Sequence, residues 1–225
     1  MTLLKSEIQY ISMDRKSVNN KRCYLTPDGN AVSSVTTILD ATKDKTHLIE
    51  WRNKVGHVRA QEITTQAAST GTRMHKFLED YIQTGEWPTP GSNPYSIHAN
   101  KMANVIKEHG LTHLTEIWGI EVALYIPQIY AGTTDCIAKY KNNLSIIDYK
   151  QSNKPKKKEW IDDYFLQLVL YAMAHNDMYN TNINEGHIFM CTQSLEYQQF
   201  DLWPDEFDYW KHRAWDRVYQ YYSLK

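Results

Sequence analysis

The stretch IYAGTTDCIAKYKNNLSIIDYK, residues 129–150, decides the fold. Its two halves alternate and are rich in β-branched and aromatic side chains, so each reads as a strand. Asn142 and Asn143 between them tolerate the left-handed backbone that a two-residue hairpin turn demands. With that pair as the loop, the run Asp135 to Tyr140 returns against Ser145 to Lys150. Asp135 then falls opposite Lys150, with Asp148 on the adjacent diagonal of the same face. Directly paired Cβ atoms lie about 5 Å apart and diagonal ones about 7–8 Å. Ile146 and Ile147 come just before, so an acid and a base project together from a segment that otherwise reads as core.

Outward from this hairpin, IWGIEVALYI (117–126) supplies a third antiparallel strand, turning near Pro127 and Gln128. The lysine-rich loop SNKPKKKE (152–159) leads into a helix, WIDDYFLQLVLYAMAHN (160–176). GHIFMCTQ (186–193) and LEYQQFDL (195–202) read as two more strands, and 205–222 as a final amphipathic helix. Upstream, Asp28-Gly29 in CYLTPDGNAVSSV marks a hairpin. Helical pattern follows from Leu48 to Gln83, interrupted by Gly56 and Gly71, and a further helix ends at Gly110 as its C-cap. The economical reading is one α+β domain, a central mixed sheet flanked by helices. An N-terminal hairpin and helical region (about 1–115) would lead into the core (about 116–225).

Composition narrows the class. Of 225 residues, 42% are apolar and 23% charged, the balance of a water-soluble chain able to bury a core. Net charge is −1, so a polyanionic partner would have to be held by a local basic stretch rather than a global field. Cys23, Cys136 and Cys191 are scattered, which excludes a four-cysteine cluster and points to a reducing compartment. The N-terminus has no apolar targeting core, and no apolar run reaches the roughly 20 residues of a membrane span. The expected location is cytoplasmic. No G-x-x-x-x-G-K-[ST] occurs, so no ATP-driven motor is expected.

Two ionised carboxylates at the hairpin spacing repel unless a cation sits between them. Mg²⁺ resolves such a conflict with one or two carboxylates, waters and substrate phosphate oxygens. It would also polarise a phosphodiester and make hydroxide available near neutral pH, with Lys150 orienting the water or neutralising charge on the phosphorane. The hairpin by itself leaves a metal site and a plain cross-strand salt bridge as equal alternatives. Further features lean toward the metal site. Glu121 is an acid in an otherwise apolar strand, Gln167 and Tyr171 share a helix face at i, i+4, and His75 follows Gly71 by one turn.

The order G-x-x-x-H (71–75), E (121), G-x-x-D (132–135), D-x-K (148–150) and Q-x-x-x-Y (167–171) resembles the RecB-like branch of the PD-(D/E)XK nucleases. The stretches SVTTIL (34–39), AGTTDCIA (131–138) and IIDYKQSNKPK (146–156) narrow it to that branch's genome-maintenance exonucleases, with mitochondrial, phage and bacterial members. The resemblance runs from about Val32 to the last helix. It implies a Mg²⁺- or Mn²⁺-dependent exonuclease on single-stranded DNA with a free end, here a monomer with no membrane or ATP partner.

By this resemblance Asp135, Asp148 and the Tyr149 carbonyl bind metal, supported by Glu121 and His75. Lys150 is catalytic, and Gln167 places the lysine or the DNA. Tyr171 and the loop lysines Lys154, Lys156, Lys157 and Lys158 are candidate DNA contacts, and Trp210 and Trp215 candidate walls of a passage for the strand. Gln151 departs from the pattern, which usually has threonine there, and Glu116 is the substitute should Glu121 not serve. With no mitochondrial leader evident, a bacterial or phage source is expected. Alternatives are a structure-specific endonuclease of the superfamily and an inactive, DNA-binding nuclease fold.

Overall fold

The computed structural model describes residues 8–18 and 21–224. A three-stranded antiparallel sheet comes first, β1 (Asp14–Val18), β2 (Lys21–Leu25) and β3 (Ala31–Ser33). Helices α1 (Val35–Thr42), α2 (Thr46–Val55), α3 (His57–Thr84) and α4 (Pro94–His109) follow. A five-stranded sheet is then built from β4 (Leu114–Ile126), β5 (Tyr130–Tyr140), β6 (Asn143–Ser152), β7 (Gly186–Thr192) and β8 (Tyr197–Leu202), in that spatial order. Helix α5 (Asp162–Tyr179) crosses from β6 to β7, which makes that pair parallel while all others are antiparallel. Helix α6 (Pro204–Ser223) ends the described chain. The α+β reading, a mixed sheet flanked by helices, is what the chain adopts.

Local chemistry sets the boundaries. The Ser34 hydroxyl accepts the Thr37 N–H at 3.0 Å and caps α1, a helix the hydrophobic pattern had not separated from the preceding hairpin. Asn93 caps α4 ahead of Pro94 at the first helical position. Gly56, at φ 89°, breaks α2 from α3. Gly71 breaks nothing and lies in the middle of the 28-residue α3. The buried series Thr70, Met74, Leu78 and Ile82 repeats every four residues, and that packing carries the helix through the glycine. Gly110 does end α4, but at φ −103° it is not a left-handed cap. A Cβ there would stand 2.6 Å from the Phe189 ring, so close packing against β7 selects the glycine.

The hairpin turn differs from expectation by one position. Tyr140 pairs with Asn143, so Lys141 (φ 47°) and Asn142 (φ 78°) form the loop. Two positive φ angles define the turn whose twist matches paired strands. A lysine takes one of them.

Both faces of the sheet are covered. On one face Ile137, Ile146 and Ile188 pack against Phe165, Leu168 and Val169 of α5 and Trp210 of α6. On the other, Ile147, Tyr149 and Phe189 meet Met74 and Leu78 of α3 and Met102 and Ile106 of α4. Adjacent residues Ile146 and Ile147 thus belong to opposite cores, which explains the unbroken apolar run before the acid. Each fully buried side chain of this size contributes about 1.5–3 kcal/mol. Trp210 stacks on Phe165 at 4.9 Å and Trp215 lies 6.4 Å from the Tyr130 ring. Trp210 fills the α6 side of the core, while Trp215 is half-buried against it and lines a separate cavity of about 490 Å³ that holds none of the candidate site residues.

Candidate active site

Moving the turn by one position shifts the β5–β6 register by two residues. The hydrogen-bonded ladder ends at Cys136 opposite Ile147. The next rung brings Asp135 opposite Asp148, not opposite Lys150 as the sequence suggested. A two-residue shift keeps every side chain on its face, so the acids and the lysine still share one side. Beyond the ladder's end the Asp135 carboxylate itself takes the Tyr149 N–H at 2.8 Å. The strands part where the acids stand, and one carboxylate completes the missing bond.

Glu121 approaches from β4. That strand carries two bulges upstream, between Leu114 and Glu116 and between Ile117 and Gly119, which reset its register. Glu121 consequently lies between the rungs Ile120–Cys136 and Val122–Thr134, across from Asp135. Its φ is 48°, left-handed in mid-strand. For a residue with a side chain such backbone costs of order 1–3 kcal/mol, and it clusters at functional sites. Burial, then the neighbouring Asp135 charge, push the Glu121 carboxyl up to about 7. Glu116 is not an alternative, because it pairs with Lys139 at 3.0 Å.

His75 reaches the acids from α3, with Nδ1 3.3 Å from an Asp135 oxygen. Burial acts to lower the imidazole, and the Asp135 carboxylate more than offsets it, so His75 is raised. Burial acts to raise Asp135, but His75, Lys150 and the Tyr149 N–H together hold it below the ordinary carboxylate value. Ligand atoms of His75, Glu121 and Asp135 all lie within 4.8 Å of one another. One imidazole and two carboxylates converging so closely suit a divalent cation, which would relieve both the burial of the Glu121 charge and its repulsion by Asp135.

Asp148 belongs to the neighbouring half of the site. Its carboxylate is 2.5 Å from Lys150 Nζ, and only 2% of its side chain is exposed. Burial raises Asp148 to about 6 despite the lysine. Burial opposes the Lys150 charge as well, and Asp148 and Asp135 more than restore it, so the ammonium is held protonated. Gln167 Oε1 accepts from Lys150 Nζ at 3.3 Å, and the Tyr164 ring lies 5.1 Å from the same nitrogen. Gln167 in turn donates to the Tyr171 hydroxyl at 3.3 Å. A Cβ on Gly132 would meet the Tyr171 ring at 2.6 Å, so the glycine of G-x-x-D makes room for the tyrosine of Q-x-x-x-Y. Tyr171 is a buried support within this chain of contacts.

At Gly71 an added Cβ would find only Gln151 Cγ at 3.5 Å, an ordinary contact. Gln151, where threonine was expected, donates to the Ala67 carbonyl of α3 at 3.1 Å. It ties the helix carrying His75 to the strand carrying Lys150.

These groups line a cavity of about 530 Å³, which holds His75, Glu121, Asp135, Lys150, Gln167 and Tyr171. Besides Lys150 and His75, its basic residues are Arg15, Arg22 and Lys76, none of which the sequence reading singled out. The four loop lysines are not in the lining. The Lys156 backbone bonds Gln198 of β8 at 2.7 Å, and Lys158 pairs with Glu206 of α6 at 2.8 Å, which draws that loop toward β8 and α6. A larger cavity, about 610 Å³, lies beside Tyr81, Lys107 and Leu111 and contains none of the site residues. Among the described residues no helix is long and apolar enough to cross a membrane.

No protein-family model matches the chain. It is similar to proteins named mitochondrial genome maintenance exonuclease 1. The Xenopus tropicalis protein is 32% identical over 177 residues, covering 71% of this chain and 48% of that one. The Mus musculus protein is 29% identical over 175 residues, covering 72% and 50%. The Homo sapiens protein is 28% identical over 182 residues, covering 72% and 49%. The chain therefore spans about half the length of the curated relatives it matches. A crystal structure from Eubacterium rectale, named as a candidate exonuclease, aligns with TM-score 0.48 and 11% identity over 69% of this chain and 67% of that one. The curated relatives support kinship with an exonuclease family.

Proposed function

We propose that this chain is a divalent-metal-dependent DNA exonuclease of the RecB-like PD-(D/E)XK type, acting as a monomeric single domain on single strands with a free end. The observation that carries the reading is the convergence of His75, Glu121 and Asp135 within 4.8 Å, beside the buried Asp148–Lys150 pair. Similarity to exonuclease-named relatives supports the same conclusion. Mg²⁺ or Mn²⁺ would be held by Asp135, Glu121 and His75, with Asp148 and the Tyr149 carbonyl as further ligands. A bound cation supplies Lewis acidity toward the phosphate and lowers the pKa of water.

The chain's own residues do the rest. Lys150, kept protonated and fixed between Asp148 and Gln167, faces the charge that develops on the phosphorane and is unsuited to act as a base. The Tyr149 N–H fixes one Asp135 oxygen and His75 lies beside the other, so that carboxylate is oriented before any ligand arrives. Such preorganisation avoids rearrangement during the reaction. No ATP is required in this scheme, and the working compartment is a reducing, bacterial or phage-infected cytoplasm.

The test is digestion of 5′- and 3′-labelled DNA, single- and double-stranded, linear and circular, with Mg²⁺, Mn²⁺ or EDTA. Metal-dependent degradation of linear single strands with resistant circles is expected. Equal rates on circle and linear strand would establish the endonuclease alternative, and no cleavage with either metal would leave a DNA-binding fold.

A further inference from the structure

The arginines of the cavity lining have received no role. We infer that Arg15 and Arg22, on the β1–β2 hairpin, form a phosphate-holding subsite that grips a substrate phosphate next to the one cleaved. This rests on the nuclease reading above.

The hairpin register pairs Arg15 with Tyr24 and Ser17 with Arg22. Arg15, Arg22 and Tyr24 therefore share one face, with the arginines on a diagonal of about 7–8 Å between Cβ atoms. Tyr24 is buried, and its hydroxyl bonds Thr133 at 3.1 Å, two residues before Asp135. The arginine-bearing face is thereby anchored against the strand that carries the acid. The Arg22 carbonyl accepts the Ser34 N–H at 3.0 Å and the Thr37 hydroxyl at 3.1 Å, which fixes its backbone to the start of α1. Both side chains line the same cavity as the acidic cluster.

Position and charge together distinguish this pair. Among the described residues Arg59, Arg213 and Arg217 each pair with a carboxylate, whereas Arg15 and Arg22, like Arg52 and Arg73, are in no ion pair, and of these four only Arg15 and Arg22 line the cavity. Of the lysines in the lining, Lys76 is held by Glu79 and Asp80 at 3.2 and 2.9 Å, and Lys150 by Asp148 at 2.5 Å. Two unpaired guanidinium groups remain, whose planar donor forks match phosphate oxygens. A polyanionic strand entering a cavity lined by Glu79, Glu121 and Asp135 meets repulsion from those acids, and attraction at a bound cation, at Lys150 and at this arginine pair. The arginines would hold the strand so that its neighbouring phosphate comes to the acids.

The experiment measures binding of a fluorescent single-stranded oligonucleotide in EDTA, and KM and kcat with Mn²⁺, for wild type, Arg15→Gln, Arg22→Gln and both lysine variants. Substrates carry a 5′-phosphate or a 5′-hydroxyl, or one neutral methylphosphonate linkage moved along the strand. Each glutamine variant is expected to weaken metal-free binding about tenfold, lower the salt slope by about 0.7 and raise KM more than it lowers kcat. One neutral position should penalise wild type and not the variants. If that position is internal the subsite reads a phosphodiester, and if it is the 5′-phosphate the subsite reads the strand end. Lysine should restore charge but only part of the affinity. Wild type that binds and cuts, alongside variants of equal affinity, salt slope and methylphosphonate profile, overturns the subsite alone. Wild type that neither binds nor cuts overturns the nuclease reading and the subsite with it.

Discussion

Gly132 lies directly beneath Tyr171, with room for a hydrogen but not for a methyl group. A Cβ would come within 2.6 Å of the ring and 2.9 Å of its hydroxyl. Gly132→Ala should push Tyr171 away and, through Gln167, loosen Lys150. The expected stability loss is about 1–3 kcal/mol, with kcat falling about 100-fold. Thermal melts and steady-state kinetics check both. Normal kcat in a folded variant would disconnect Tyr171 from the lysine.

Gln167→Leu tests the same connection from its middle. Removing the acceptor 3.3 Å from Lys150 Nζ leaves the lysine with the Asp148 carboxylate and the Tyr164 ring. A fall in kcat of about 10- to 100-fold with little change in KM is expected. Lys150→Met should cost about 100- to 1,000-fold.

The acids of one site should respond oppositely to neutralisation in EDTA. Glu121 is raised from 4.5 to about 7, so its ionised form is disfavoured in the fold. That penalty is absent below pH 4.5, builds as pH rises and is complete above about 7. Glu121→Gln should therefore raise the melting temperature by about 2–4 °C at pH 8 and leave it unchanged at pH 4.5. Asp135 is lowered, so its ionised form stabilises the fold above the ordinary carboxylate value and that stability is lost as pH falls through the lowered one. Asp135→Asn should lower the melting temperature at neutral pH. Shifts of the same sign in both variants would contradict the electrostatics.

A cation bound as proposed at His75, Glu121 and Asp135 would stabilise the folded chain by mass action. At about one hundred times its dissociation constant the gain is about 2.7 kcal/mol, or about 5–10 °C for a chain of this size. Mn²⁺ or Mg²⁺ should raise the wild-type melting temperature, and His75→Ala or Asp135→Asn should remove most of the rise. Differential scanning fluorimetry with and without metal reads this without any turnover.

The loop lysines lie outside the cavity lining and are proposed as outer contacts to the strand. Changing Lys154, Lys156, Lys157 and Lys158 to serine should reduce the salt slope of binding by about 0.7 for each phosphate contact removed and leave kcat unchanged. A slope identical to wild type would show that they face solvent only.

Much of the core was legible because alternation is a strong signal. The strands around Ile146 and Ile147 and the helix with Gln167 and Tyr171 fall where their patterns place them. The hairpin turn was misplaced because asparagine is the residue expected at positive φ, and Lys141 occupies that conformation instead. The shared face of Asp135, Asp148 and Lys150 survived because the error in register was even. Gly71 looked like a break because glycine weakens helices, while the four-residue spacing from Thr70 to Ile82 decided otherwise. Strand β1 and helix α1 are short, five and eight residues, and neither carries a long periodic pattern. The arginine wall was invisible for another reason. Arg15 and Arg22 lie over one hundred residues before Asp135, and only the folded chain brings them to the acids.

The left-handed backbone at Glu121 sets two kinds of selection against each other. Glycine or asparagine would occupy φ 48° with less strain, and neither would bring a carboxylate to Asp135. A library randomised at position 121 and sorted only for survival of heating would therefore be enriched in glycine and asparagine. The same library sorted for DNA cleavage would return glutamate, and the disagreement between the two sorts would show which positions the protein keeps for its chemistry.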